Sequence, residues 1–297
     1  MLGIFSKRFK DRVVVITGAG SGIGRATALA FAKQGAWVHL VDIHQGRVEE
    51  VAAAARELGP PAQAHAVDVR DAAAMERLAH DVYARHRRVD VLVNNAGVGH
   101  SALVQETSLE DWRWVLDVNL WGVIHGIHAF VPRLIDQGGD AHVVNTASFA
   151  GLVGVPSMAP YSASKFAVVG LSEALGAELA PHGIRVTAIC PGVIATDIVR
   201  AGRLEGAVGE RKQVLESFYQ KRGIPPERVA RDILRAVKSG TPLATTLGAS
   251  YPALLLRRVS PRLWRSTAGL ALGRIIGTRG SGGPDDARAH TPRGEGA

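Results

Sequence analysis

V-V-V-I-T-G-A-G-S-G-I-G, residues 13 to 24, decides the fold. Val13 to Ile16 is an unbroken β-branched run, as expected of a strand buried on both faces of a parallel sheet. It runs into Gly18, Gly20, Gly22 and Gly24, and a helix is expected from Arg25 to Gln34, stopped by Gly35. Strand, glycine turn and helix together make a place for a pyrophosphate. Glycines let the backbone come close, and the helix N-terminus favours negative charge. The spacing departs from G-x-G-x-x-G, but the physics is shared.

Working outward, Trp37 to Val41 reads as a second strand ending in Asp42, a carboxylate placed to accept ribose hydroxyls and repel a 2′-phosphate. Gln45 to Leu58 reads as a helix closed by Gly59-Pro60-Pro61. Further strands are expected at Gln63–Val67, Val89–Val93, Ala141–Thr146 and Arg185–Ile189, with helices at 71–86, from Ser108 to about Gln137, at 161–180 and at Glu227–Ser239. Ser108 with Asp111 has the pattern of a helix cap. Alternating strands and helices predict an α/β fold: a doubly wound parallel sheet of Rossmann type in a single domain, residues 1–250. A basic amphipathic extension follows at 251–278. A glycine-, arginine- and proline-rich tail at 279–297 is expected to be disordered.

A second stretch carries chemistry: S-F-A-G-L-V-G-V-P-S-M-A-P-Y-S-A-S-K, Ser148 to Lys165. Tyr161 and Lys165 stand four apart on an expected helix and so share a face. Acid–base work by tyrosine near neutrality needs its pKa lowered by about 3, about 4 kcal/mol. An ammonium about 4 Å away at an effective dielectric of ~20 supplies about that.

The chain resembles the short-chain dehydrogenase/reductase superfamily in its compact single-domain branch. The resemblance rests on T-G-A-G-S-G-I-G (Thr17 to Gly24), N-N-A-G (Asn94 to Gly97), Asn119, Ser148 with Y-x-x-x-K, and Pro191-Gly192, over roughly residues 10 to 245. It implies a catalytic set of Asn119, Ser148, Tyr161 and Lys165, with Ser148 and Tyr161 also holding substrate. It implies a dinucleotide bound by Gly18, Ser21, Gly22, Ile23, Gly24, Asp42, Asp68, Val69, Asn95, Ala96, Gly97, Tyr161, Lys165, Pro191, Gly192, Ile194 and Thr196. Asp68 serves equally as a cap for the helix at 71–86. Asn94 is expected to pin neighbouring strands by side-chain hydrogen bonds. Asp42, and Ser21 where phosphate-preferring relatives often carry a basic residue, favour NAD over NADP. The implied reaction interconverts a secondary alcohol and a ketone. A 3-oxoacyl thioester reductase and a non-catalytic NAD(H)-binding scaffold are the alternatives. Val98, Leu152, Val153, Val155 and Met158 either line a lipophilic pocket or pack the core. Residues 197–226 are where the family keeps a substrate lid. A homodimer or homotetramer is the implied assembly.

No metal is expected. His125 and His128 lie three apart on one helix, but no third ligand is signalled, and a structural role fits better. His100 reads as a surface-loop histidine within reach of substrate. The single cysteine, Cys190, sits in an apolar run, suits a reducing compartment, and reads as a core thiol. The expected location is cytoplasmic. The first ten residues have too short an apolar stretch for a signal peptide. No apolar run is long enough to span a bilayer. The formal charge is +8, and Ser239 to Pro284 contributes six arginines with no lysine and no acid. So local an excess argues against nucleic-acid binding. Ser260-Pro261 reads as a helix start, and Trp264, Ala268, Ala271 and Ile275 then recur at helical spacing among Arg257, Arg258, Arg262, Arg265 and Arg274. Two settings suit this stretch: the face of an anionic membrane, as peripheral contact, or a packed position over the lid or a second subunit.

Overall fold

The β-branched run at Val13 becomes β1 (Val13–Thr17), all five residues buried. In chain order there follow α1 (Gly22–Lys33), β2 (Trp37–Asp42), α2 (Gln45–Arg56), β3 (Gln63–Ala66), α3 (Ala72–His86), β4 (Val91–Asn94), β5 (His100–Ser101) and α4 (Leu109–Leu116). A π-helical turn, Asp117–Trp121, joins α4 to α5 (Gly122–Gln137). The chain continues through β6 (Ala141–Thr146), α6 (Ala159–Leu179), β7 (Ile184–Cys190), α7 (Ile198–Ala201), β8 (Arg203–Leu204), α8 (Gly206–Gly209), α9 (Lys212–Arg222), α10 (Pro226–Ser239) and β9 (Leu243–Thr245). Two helices close it, α11 (Ser250–Val259) and α12 (Pro261–Ile276). This computed structural model describes residues 9–246 and 250–276. The tail at 279–297 and the side chains of Ala271, Arg274 and Ile275 lie outside the described residues.

Seven strands form one parallel sheet in the order β3-β2-β1-β4-β6-β7-β9. The order reverses between β1 and β4, so the loops after these strands part and leave a crevice at their carboxyl ends. Thr17, Asp42, Asn94, Thr146 and Cys190 are those ends. Registers such as Thr17↔Val41 and Asn94↔Asn145 hold them level. One sheet face packs Val14, Ile16 and Leu40 against Phe31 of α1, Val48 of α2 and Ile233 of α10. The other packs Val13, Val15 and Leu92 against Leu78 of α3, Phe130 of α5 and Leu175 of α6. Burial on both faces explains why Val13–Ile16 of β1 and Val91–Val93 of β4 read as continuous apolar runs rather than alternating ones.

The local signals account for most boundaries. Gly35 takes φ +87° where α1 gives way to β2. Ser108 and Asp111 form the expected reciprocal cap of α4. The helix at 71–86 is capped by Asp71, whose carboxylate accepts from Ala74 N at 3.0 Å, and not by Asp68. Asp68 is instead bonded to Arg70, through both backbone and guanidinium, which holds it below the usual carboxylate range. From Leu109 to Gln137 the helix is long and apolar enough to cross a bilayer by those two criteria alone. Here Val115, Val123, Ala129, Phe130 and Leu134 are buried inside the protein.

Three short strands were not evident from the sequence. β9 extends the sheet by only three residues, too short for a period to show. β5 and β8 are two residues each and pair His100 with Arg203 and Ser101 with Leu204. His100 is therefore buried, 1% exposed, and not a surface-loop residue. The extension folds as two helices, with Ser260 Oγ accepting from Leu263 N at the start of α12. Arg257 of α11 donates to the Leu152 carbonyl and stands 4.9 Å over the Phe166 ring. The extension thus packs on the catalytic domain through this residue. Leu255, Val259, Leu263 and Leu270 remain exposed.

Buried histidines tie this core to pH. His39 bonds His65 at 3.0 Å, and burial, with His65, His86 and Arg85 nearby, pushes it down to about 3. His142 bonds Thr187 Oγ1 at 2.8 Å, and burial with Arg185 nearby pushes it down to about 4. Both are neutral when folded, while the unfolded chain takes protons near 6.5. Their contribution is therefore full above the unfolded value and lost as pH falls from there toward the folded values. Between pH 7 and pH 5 each should cost about 2 kcal/mol of stability. Urea melts at both pH values test this: His142→Asn should show about 2 kcal/mol less pH dependence than the wild type, whatever its stability at pH 7.

Candidate active site

The glycine turn is shaped by close approach. A Cβ on Gly24 would lie 2.0 Å from the Gly18 carbonyl oxygen, and one on Gly18 would lie 2.7 Å from Ala96 Cα. Gly18 and Gly22 also have φ of +63° and +51°. Behind the turn, Thr17 Oγ1 accepts from Asn95 N at 2.9 Å and Ala96 N at 3.0 Å, and Asn95 Nδ2 donates to Thr17 O at 3.0 Å. The first and fourth strand ends are locked together here. Thr17 and Asn95 act as a pair that the motif alone did not reveal for Thr17.

Asp42 is held in place from two sides. Gly20 N donates to Oδ2 at 2.9 Å, and His44 N donates to Oδ1 at 3.0 Å. Both oxygens keep a lone pair free. On the far side Thr196 approaches Gly22; a Cβ on Gly22 would stand 3.0 Å from Thr196 Cγ2. Ile194 is buried beside it and bridges to Ile224. Val69 is placed by His125, whose Nδ1 bonds the Val69 carbonyl at 2.8 Å. His128 faces Glu76. These two histidines thus have separate structural partners. The turn at Gly18–Gly24, Asp42, Val69, the Asn95–Gly97 turn, and Ile194 with Thr196 border one crevice. The glycines leave the room that a pyrophosphate needs, so the residues fit a dinucleotide.

Asn119 has a defined mechanical role. It sits in the π turn, wholly buried. Its Oδ1 accepts from Val98 N at 2.8 Å and its Nδ2 donates to Val98 O at 3.0 Å. Nδ2 also approaches Ser164 Oγ at 3.4 Å, and Ser164 donates to the Tyr161 carbonyl at 2.7 Å. Ser164 was not singled out in the sequence; its position three residues after Tyr161 was the available signal. Asn94 Nδ2 donates to Asn145 Oδ1 at 2.9 Å, and Asn145 Nδ2 donates to Ser172 Oγ at 3.0 Å. The expected strand-pinning by Asn94 is present and continues into α6.

Tyr161 and Lys165 share the buried face of α6, and Ser148 stands at the start of the preceding loop. Lys165 Nζ donates to the Thr146 carbonyl at 2.8 Å and lies 5.7 Å from the Tyr161 ring centre. It also comes near the Gly97 turn, where a Cβ would be 3.6 Å from Nζ. In this geometry burial acts on the tyrosine against the lowering expected from the lysine. Burial pushes Tyr161 up to about 12, with Ser148 working in the opposite direction, and pushes Lys165 down to about 8. Desolvation is the largest cause at both groups, and the ammonium is turned to the Thr146 carbonyl. Cys190 is pushed up to about 12 by burial, a core thiol as expected.

The apolar residues divide. Leu152 and Val153 are buried, Leu152 among Val123, Val168 and Cys190, and so belong to the core rather than to a pocket wall. Val98, Val155 and Met158 are half-buried.

A seven-stranded parallel sheet with a glycine turn at its switch point defines a single-domain Rossmann fold, and Ser148, Tyr161, Lys165 and Asn119 lie beyond its strand ends. The chain belongs to the short-chain dehydrogenase family, whose model, described as short chain dehydrogenase, matches residues 12–205. It is similar to the probable oxidoreductase EphD of Mycobacterium tuberculosis, 40% identical over 268 residues, 88% of this chain and 45% of the relative. The chain spans about half that relative's length. It is similar to cyclohexanol dehydrogenase of an Acinetobacter strain, 38% identical over 66% of this chain and 78% of the relative. Among solved structures, a short-chain dehydrogenase/reductase from Burkholderia phymatum in complex with NAD aligns with TM-score 0.81 and 32% identity, covering 88% of this chain and 96% of that one.

Asn119→Ala should expose how much of the site hangs on one side chain. It strands both backbone groups of Val98, so urea unfolding at neutral pH should show a loss of about 2 kcal/mol.

Proposed function

We propose that this chain is an NAD-dependent oxidoreductase that interconverts a secondary alcohol and a ketone. The observation that carries the reading is the convergence of Ser148, Tyr161 and Lys165 on the crevice bordered by the glycine turn and Asp42. Bound NAD supplies the hydride acceptor or, when reduced, the donor. Gly18, Ser21, Gly22, Ile23 and Gly24 would hold its pyrophosphate, Asp42 its adenosine ribose, and Asp68 with Val69 the adenine side. Asn95, Ala96 and Gly97 would support the middle, and Pro191, Gly192, Ile194 and Thr196 the nicotinamide end.

The protein's part is position and protons. Ser148 Oγ orients the substrate oxygen. Tyr161 Oη accepts the hydroxyl proton during oxidation and donates it during reduction. Lys165 holds the nicotinamide ribose with its ammonium, and Asn119 keeps the Gly97–Val98 turn in register with it. The half-buried Val98, Val155 and Met158 favour a lipophilic or cyclic substrate. That preference is in line with the printed name of the Acinetobacter relative. In this reading the extension belongs with the pocket rather than with a membrane, because Arg257 is packed on the loop between Ser148 and Tyr161. Exposed Leu109 and Trp121 on the helix from residue 109 to 137 supply an apolar face for a homo-oligomer.

A panel of secondary alcohols read by NADH absorbance tests the activity. Turnover of a cyclic or long-chain member is expected, and none across the panel in either direction would overturn the reading. On the best substrate, Tyr161→Phe should lower kcat by about 10² or more with NAD binding retained. Lys165→Ala should lower both turnover and coenzyme affinity.

The coenzyme choice is tested separately. NAD should exceed NADP in kcat/KM by at least about tenfold, ~1.4 kcal/mol, modest for a phosphate beside a carboxylate. Asp42→Ala should narrow that gap. Equal efficiency in the wild type would remove Asp42 as the selector.

A further inference from the structure

Away from the catalytic set, three side chains meet where the lid segment is tied to the body. His100 lies on β5, Asp111 in the first turn of α4, and Glu205 just after β8. One nitrogen and two carboxylate oxygens from these residues lie within 4.8 Å of one another. His100 and Asp111 are buried, at 1% and 3% exposure, and Glu205 is half-buried. Among the described residues, neither ring nitrogen of His100 has a hydrogen-bond partner. A buried imidazole with both nitrogens unsatisfied calls for a ligand, since burying unpaired polar groups is costly.

We propose that His100, Asp111 and Glu205 bind a divalent transition-metal ion of the zinc type. The donor set is one imidazole and two carboxylates, chemistry that suits zinc and its neighbours better than calcium or magnesium. Bonds of about 2.1 Å put tetrahedral ligands about 3.4 Å apart. The present spacing closes by little more than 1 Å at most, within reach of a rotation of Glu205. Water completes the shell.

Asp111 is oriented from behind. Ser108 N donates to its Oδ2 at 3.3 Å, and Ser108 Oγ bonds the same oxygen. Partners of this kind fix a metal ligand. Arg203 donates to Asp111 Oδ1 at 2.8 Å and is the ion's competitor. It has two other holds, Glu110 at 3.4 Å and the Trp114 ring at 4.4 Å, and keeps them when Asp111 turns to the ion. The ion would join three segments: the chain just after the Gly97 turn, α4, and the root of the lid. Its role is to fix the lid's root, whatever substrate the enzyme takes.

Calorimetric titration of the full chain with zinc chloride at neutral pH tests the site, with the visible spectrum of the cobalt(II) form as a second readout. Saturable one-to-one binding is expected, with cobalt bands of a four-coordinate nitrogen–oxygen site. His100→Gln and Glu205→Gln should each weaken zinc by at least about tenfold, the loss that even outer-shell changes bring. Glu205→Gln is half-exposed and isosteric, so its fold is checked by melting temperature without metal. Arg203→Met should tighten zinc several-fold by removing the competitor, an effect that a purely structural cluster would not give. His128→Gln, outside the cluster, should bind as the wild type does. No saturable zinc binding by the wild type, or unchanged affinity in both His100→Gln and Glu205→Gln, would overturn the proposal.

Discussion

Two hydrogen bonds between the Asn119 amide and the backbone of Val98 are the constraint on which the site depends. They require the asparagine to face the sheet from inside a helix, and the π turn at Asp117–Trp121 brings it there. An extra residue in the helical turn shifts the face that follows, which is why such turns gather at functional positions. With Val98 fixed, the Gly97 turn is held beside Lys165 Nζ, which donates to the Thr146 carbonyl. Asn119, Ser164 and the Tyr161 carbonyl then form one chain of contacts from the π turn to α6. A loss at any link moves the others, because the interior has no free volume to absorb a shift.

Parallel strands place every carboxyl end on one edge, and reversal of the strand order opens that edge at one point only. What the chain places there is small or polar: Gly18, Asp42, Asn94, Asn95, Thr146. Their mutual bonds make the edge rigid before anything binds. Thr17 holding two amides and Asp42 holding Gly20 and His44 are the clearest cases. A rigid edge has little conformational entropy left to lose on binding.

Much of this could be read in the chain itself, and the reason is physical. Glycines at a strand-to-helix turn, buried β-branched runs, and a tyrosine and lysine one helical turn apart are local patterns, so they survive in one dimension. The readings that stayed open or failed turn on tertiary contact. Asp68 and Asp71 both precede the same helix, and only the pairing of Asp68 with Arg70 leaves Asp71 as the cap. Leu152 and Val153 are as apolar as Val155 and Met158, and only packing sorts wall from core. His100 seemed exposed because a two-residue strand has no periodicity to announce it. The lysine's effect on the tyrosine was reckoned from spacing, which gives proximity but not the direction of the Nζ.

That last point bears on how the site is maintained. Keeping Lys165 charged while buried costs about 3 kcal/mol, from a pKa pushed to about 8 against an ordinary 10.5. Tyr161 carries no such cost near neutrality, because burial favours the neutral hydroxyl it already has. The two groups therefore differ in what they ask of the fold. The tyrosine is stable where it is and becomes acidic only if positive charge is brought against it. The lysine is the strained member, and the Thr146 carbonyl at the end of a strand buried on both faces is what holds it there. The sheet's apolar interior and the site's chemistry are thus one construction: the burial that stabilises β6 and α6 is the same burial that leaves a cation with little solvent, able to act strongly on whatever negative charge develops beside it.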